Sequence, residues 1–261
     1  MRVRQIGKPT LYVHFNACTG DTVSRYGKGF YSARDSNTRE SAEKILALLM
    51  ARLPPINSAI DVGCGVGTWL AALRRSGIID VQGIEGPWVR HELLEIPREQ
   101  LFETDMSALL SSGDRWPRRY DLAISLEVAE HLPARSASDF VGFLCDAADF
   151  ILFSAASPHQ GGRHHVNEQW PEYWAELFEE RGYRYHDWVR PQIWKNRDIP
   201  VWYRQNMLVF IAQTRECDVE QESARCEMPL AVVHPEMYES KMERPPFQQR
   251  LRRTLRHLLS R

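Results

Sequence analysis

Two short stretches hold the side chains best suited to chemistry. In SLEVAEHLP, Glu127, Glu130 and His131 follow an apolar run, and in SPHQGGRHHVNEQW the histidines His159, His164 and His165 crowd into one loop-like segment. A neutral imidazole takes a proton from a weakly acidic hydroxyl, and a mixed set of carboxylates and imidazoles also binds divalent cations such as Mg2+. One helical turn before Pro133 would place Glu127 at i+3 from Glu130 and i+4 from His131, so that all three face one point. His131 is the leading general base, with Glu130 and His165 as its catalytic partners. A composite metal site would join Glu127, Glu130 and His131 to His164 or His165. The plainer alternative is a polar loop whose histidines hydrogen-bond substrate or water.

These residues need a scaffold, and the rest of the chain supplies its pattern. SAIDVG, DVQGIE, QLFETD, YDLAISL, ADFILFSA and MLVFIAQ read as strands. WLAALRRSG, WVRHELLEI, SASDFVGFLCDAA and PEYWAELFEERG read as the helices between them. Strands alternating with helices make a mainly parallel sheet covered on both faces, which explains why the ILF and LVF runs lack polar alternation. Ahead of this series, SAEKILALLMARL carries apolar residues at helical spacing up to Pro54 and Pro55, TLYVHF suits a short strand, and SRYGKGFYSARDS suits a loop. VRPQIWKNRDIPVWYRQN, aromatic and charged, suits an insertion on the substrate side.

The first strand ends in AIDVGCGVGTWLAAL, where Asp61, Gly63, Gly65 and Gly67 stand directly before a helix. Glycines there permit a tight turn and a close approach of backbone to a ligand, and the spacing is G-x-G-x-G rather than the dinucleotide G-x-G-x-x-G. Glu85 closes the second strand, and a carboxylate can accept both hydrogen bonds of a ribose diol. Asp61 suits either support of the loop or a ligand amino group. Trp88 suits either cover for an adenine face or ordinary packing.

The series resembles class I S-adenosylmethionine-dependent methyltransferases over residues 36–213. The resemblance implies a Rossmann-like doubly wound α/β fold and S-adenosyl-L-methionine as cofactor, held by Asp61, Gly63, Gly65, Gly67, Glu85, Asp105 and Glu127. E-x-x-E-H recurs in that family in quinone-pathway and small-RNA O-methyltransferases. In the RNA enzymes such residues hold a divalent cation, which implies Glu127, Glu130, His131 and His164 as ligands here. SAASPHQGG, HVNEQWPEYW, WYRQNMLVF and VVHPEMY are similar to a bacterial subgroup associated with glycan and natural-product biosynthesis. That resemblance implies a sugar, glycan or other small-molecule hydroxyl as acceptor, with Asn167, Glu168 and Gln169 suited to gripping a polyol.

Bulk composition narrows the remaining classes. The chain of 261 residues fits one enzyme-sized domain with appendages: a cap at 1–35, the domain at 36–213, and an extension at 214–261. Tyr26, Tyr31 and Arg39 are candidates to close over the donor, with Arg39 on its carboxylate. The absence of a long apolar run or signal-like start points to the cytoplasm. Cys18, Cys64, Cys145, Cys217 and Cys226 form no C-x-x-C pair, so reduced thiols are expected. The basic residues concentrate toward the C-terminus, where FQQRLRRTLRHLLSR has one leucine stripe and cationic faces, suited to docking on the acidic body or to peripheral membrane contact. The acidic body argues against nucleic acid as a partner, although the 3′-terminal ribose of RNA stands as the alternative acceptor. A non-catalytic donor-binding module is the second alternative. Nothing in the sequence determines the oligomeric state.

Overall fold

The computed structural model describes residues 28–113, 116–218 and 229–242. A long helix α1 (Lys28–Met50) leads into β1 (Ser58–Val62), α2 (Thr68–Arg75), β2 (Asp80–Glu85), β3 (Leu101–Glu103), α3 (Met106–Ser112) and β4 (Tyr120–Leu126). The chain continues through α4 (Ala137–Ala147), β5 (Ala148–Ser154), α5 (Pro171–Glu179), β6 (Tyr183–His186), α6 (Val189–Ile193), α7 (Val201–Asn206), β7 (Leu208–Ala212) and α8 (Pro235–Met242). The strands form one sheet in the order β3-β2-β1-β4-β5-β7-β6. Strands β1 to β5 pair in parallel, while β7 runs antiparallel to both β5 and β6. This is the expected doubly wound α/β fold with a mainly parallel sheet.

Both faces of the sheet are covered, and successive strand residues serve opposite cores. Leu122, Ile124, Phe150, Leu152, Val209 and Ile211 pack with α1, α2 and α6 on one side. Ala123, Ile151, Phe153, Leu208 and Phe210 pack with α4 and α5 on the other. Phe178 of α5 stacks on Phe210 with ring centroids 3.8 Å apart. On α1, Ala42, Ile45, Leu46 and Leu49 are all buried, the stripe expected from their spacing.

Two local expectations change, and two further segments gain structure that no pattern had specified. SRYGKGFYSARDS is not all loop, because α1 already begins at Lys28. WVRHELLEI forms only a single 3-10 turn over His91–Leu93, since the Glu95 N–H donates to the Val66 carbonyl and Pro97 follows. YRYH forms the edge strand β6, which its polar residues concealed. The aromatic segment before the last strand folds into α6 and α7. TLYVHF, Tyr26 and the basic FQQRLRRTLRHLLSR lie outside the described residues. No described helix is long and apolar enough to cross a membrane.

Candidate active site

The glycine turn after β1 is built by backbone dihedrals that only glycine adopts readily. Gly63, Gly65 and Gly67 have φ of 83°, 57° and 85°. Their surroundings differ. A Cβ on Gly63 would lie 2.4 Å from Cγ2 of Val128, and one on Gly67 would lie 2.8 Å from Cγ1 of Ile96, whereas one on Gly65 would meet no atom within 4 Å. Gly63 and Gly67 are therefore fixed by packing as well as by dihedral, and Gly65 faces open space. Glu85 braces the turn, its two carboxylate oxygens accepting from the Gly65 N–H and the Gly86 N–H, each at 2.8 Å. Burial raises its pKa, opposed by those two amides and by the Trp88 side chain. Trp88 folds over Gly86.

Asp61 is nearly fully buried beneath the turn, and its Oδ2 has no hydrogen-bond partner. Burial, and then the neighbouring Glu85, push its pKa well above the usual carboxylate range. Asp105 caps α3, with Oδ1 accepting from the N–H of Ser107 at 2.8 Å and of Ala108 at 3.4 Å.

These elements meet at the carboxyl edge of the sheet around a cavity of about 620 Å³. Gly63, Gly65, Glu85, Trp88 and Asp105 line one end, and Glu127, Glu130, His131, His164 and His165 also belong to its wall. The turn after β4 is not the single helical turn expected. Glu127 has a left-handed backbone with φ of 56°, and a 3-10 turn covers only Ala129–His131. Glu127 accordingly turns to its own partners: its Oε2 accepts from Gln160 Nε2 at 2.7 Å and its Oε1 from Asn206 Nδ2 at 3.2 Å.

Ligand atoms of Glu130, His131 and His165 lie within 4.8 Å of one another. Glu130 is fully buried, and neither carboxylate oxygen makes a well-formed hydrogen bond. Burial and then the charge of Glu127 raise its pKa well above the ordinary value, opposed by the nearby backbone N–H groups of Glu130 and Ala156. Nε2 of His165 lies 3.9 Å from Glu130 Oε1, and its Nδ1 lies 2.9 Å from Glu168 Oε1. Nδ1 of His131 lies 3.3 Å from the His164 carbonyl oxygen, and the His131 and His165 rings meet edge to face. Of the expected ligand set, then, Glu130 and His131 converge. Glu127 is held by amides, and His164, exposed and left-handed with φ of 65°, offers its carbonyl to His131. Of the two histidines expected to complete the set, His165 is the one that joins the cluster.

The model of a methyltransferase domain family matches residues 34–188. The chain belongs to this methyltransferase family. With the fold and the glycine turn, that makes it a class I S-adenosylmethionine-dependent methyltransferase. Among solved structures, DesVI of Streptomyces venezuelae is similar at 15% identity and a TM-score of 0.51, covering 70% of this chain and 94% of that one. Magnesium protoporphyrin IX methyltransferase (ChlM) of Synechocystis PCC 6803, with bound SAH, is similar at 17% identity and a TM-score of 0.48, covering 71% of this chain and 89% of that one. No curated protein matches the chain in sequence.

The methyltransferase cavity also has a wall that the sequence did not announce. Helix α8 contributes Met237, Ser240 and Lys241, while Trp202 and Tyr203 come from α7, within the segment expected on the substrate side. A buried polar chain ties α8 to Glu127. Arg204 holds Glu236 at 2.6 Å, His234 N–H donates to Gln205 at 2.8 Å, Gln205 donates to Ser157, and Ser157 donates to Asn206. The local signal was the Pro235 at the start of α8, an ordinary first helical residue, but nothing in sequence joined it to Glu127. Asn167, Glu168 and Gln169 do not line the cavity. Asn167 is buried and accepts from Gln169, and Glu168 braces the loop through the N–H groups of His159 and Gly161. Arg39 pairs with Glu95 at 2.8 Å.

Proposed function

We propose that the enzyme methylates a hydroxyl of a sugar, glycan or related natural-product acceptor. The observation that carries this reading is Glu130, His131 and His165 converging in the wall of the cavity that the glycine turn also lines. A sugar hydroxyl must lose its proton as it attacks, and because it is a far weaker acid than a thiol or an ammonium it gains most from such a cluster. In the proposed step the acceptor oxygen attacks the sulfonium methyl carbon in line. The carbon–sulfur bond breaks with its electron pair going to sulfur, leaving S-adenosylhomocysteine, and the hydroxyl proton passes to His131. Glu85 receives the ribose diol, Gly63 and Gly65 allow close backbone approach, and Gly67 sets the turn. Asp61 takes the methionine amino group, whose charge would relieve its buried and unpartnered oxygen. Asp105, with one oxygen spent on capping α3, presents the other toward the adenine end.

The same residues fit a divalent cation such as Mg2+. Glu130 has two buried oxygens with no well-formed hydrogen bond, and Glu168 orients His165 as outer carboxylates orient metal-binding imidazoles. Glu130, His131 and His165 would hold the ion, which would acidify the acceptor hydroxyl. Thr38 and Ser240 offer polar contacts to a polyol, and Trp202 an aromatic face.

The test is a turnover screen of the purified enzyme over sugars, sugar nucleotides, glycans and aglycones, with the methylated atom assigned by NMR. Products methylated only on nitrogen, carbon or sulfur overturn the reading. Metal analysis with activity before and after chelation separates the two versions: full activity with no bound metal removes the cation and leaves His131 as the base.

A further inference from the structure

The cavity wall carries two basic side chains, the exposed Arg163 and the half-buried Lys241. Among the described residues neither makes an ion pair, whereas nearby Arg204 and Arg39 are tied to Glu236 and Glu95. Lys241 is half-buried, and its ammonium donates to the Gln160 backbone carbonyl. Lysine seldom gives up its water without a counter-ion, and one carbonyl dipole does not neutralise a full charge. The acids near it are committed elsewhere: Glu127 accepts from Gln160 and Asn206, and Glu168 accepts from two backbone amides and faces His165.

Both cations belong to the cavity wall that also holds Glu130, His131 and His165. Arg163 lies two residues before His165, and Lys241 bonds the same Gln160 whose side chain holds Glu127. A neutral polyol would gain little from them, and the donor offers them one carboxylate while its sulfonium is repelled. An ammonium and a guanidinium in one cavity wall match the charge of a phosphate, which the guanidinium can also bind through two N–H groups. We infer that the acceptor carries a phosphate group close to its reacting hydroxyl, gripped by Lys241 and Arg163. The inference rests on the hydroxyl-methylation reading and names its substrate class.

Binding and turnover test it separately. Pyrophosphate is titrated by calorimetry into the full chain saturated with S-adenosylhomocysteine, for the wild type, the K241M/R163Q double variant and K241R. The wild type is expected to bind it, the double variant to bind at least about tenfold more weakly, and K241R to retain most of the affinity. Comparing variants that share the basic C-terminal segment isolates the cavity from that segment. In turnover, matched sugars with and without phosphate should show a preference for the phosphorylated one, expressed in KM, that collapses in the double variant. No pyrophosphate binding, equal binding by wild type and double variant, or competition by acetate as strong as by pyrophosphate would overturn the inference. Methylation of a non-hydroxyl atom would sink the underlying reading instead, leaving the binding result to stand by itself.

Discussion

Nδ1 of His165 lies 2.9 Å from Oε1 of Glu168, and this pair decides which edge of the imidazole the cavity receives. With Nδ1–H donating to the carboxylate, Nε2 keeps its lone pair and points toward Glu130, 3.9 Å away. Glu168 itself is held in place because the N–H groups of His159 and Gly161 donate to it at 2.9 and 2.6 Å. The left-handed residues His159, Gly161 and His164 let the loop fold tightly enough for this.

Replacing Glu168 by Gln should therefore cost catalysis more than cofactor binding. The amide keeps one acceptor oxygen but cannot serve His165 and both loop amides as the carboxylate does. We expect kcat to fall about 10- to 100-fold, with the affinity for S-adenosylhomocysteine within about twofold of wild type. Steady-state kinetics with calorimetric binding checks both, and an equal loss in the two quantities would contradict the positioning role.

Asp61 gives opposite signs for stability and binding. Its pKa is raised in the folded protein, so its contribution to stability is fully present below the unfolded value and is lost as pH rises through the folded one. Asp61→Asn should remove that loss. The ligand-free variant should gain roughly 1 kcal/mol, about 2–4 °C in Tm, at pH 8, and the gain should vanish toward pH 4. The same change should weaken donor binding by about tenfold or more, because a buried carboxylate awaiting a cationic amino group is lost. Thermal melts across pH, with and without S-adenosylhomocysteine, read both effects.

The three glycines of the turn should fail in different ways. Gly63→Ala forces a Cβ against Val128 and a side chain into a left-handed backbone, so the melting temperature should fall along with donor affinity. Gly65→Ala meets only open space and should chiefly weaken donor binding, with about 1 kcal/mol of strain. Trimming Val128 in a Gly63→Ala/Val128→Ala double variant should recover part of the stability, by about 0.5–3 kcal/mol relative to additivity. Strict additivity would show that the dihedral, not the contact, sets the cost.

How much of this was legible in the sequence follows the range of the interactions. Local patterns located DVQGIE as Asp80–Glu85 and the glycine turn before α2, because strand alternation and turn chemistry are written in adjacent residues. Glu130, His131 and His165 could be named as candidates since their types are chemical, but His165 rather than His164 faces the cluster because of a left-handed backbone at His164. That choice depends on Glu168 and on the His164 carbonyl, and no spacing rule encodes it. Helix α8 was harder still. Its link to Glu127 runs from the His234 N–H through the side chains of Gln205, Ser157 and Asn206, from three parts of the chain, so only the folded arrangement reveals that Lys241 belongs to the cavity.

That link yields the last prediction. His234 is buried, and Glu236 N–H donates to its Nδ1 at 3.2 Å, which leaves Nε2 to donate to the Trp194 carbonyl at 2.8 Å. Its backbone N–H meets Gln205, the next member of the chain leading to Asn206 and Glu127. His234→Ala would remove one of the two donors to the Trp194 carbonyl, leaving Arg204 Nη1 at 3.1 Å, and would open space beside the Trp194 ring, whose centroid lies 4.4 Å from the imidazole. A loss of about 2 kcal/mol in stability is expected. The kinetic signature is more telling. Because α8 supplies Met237, Ser240 and Lys241 at the acceptor side while Glu85 and the glycine turn stand apart from it, KM for the acceptor should rise about tenfold or more, and affinity for S-adenosylhomocysteine should change little. A variant that lost donor and acceptor binding together would mean that α8 supports the whole cavity rather than its acceptor wall.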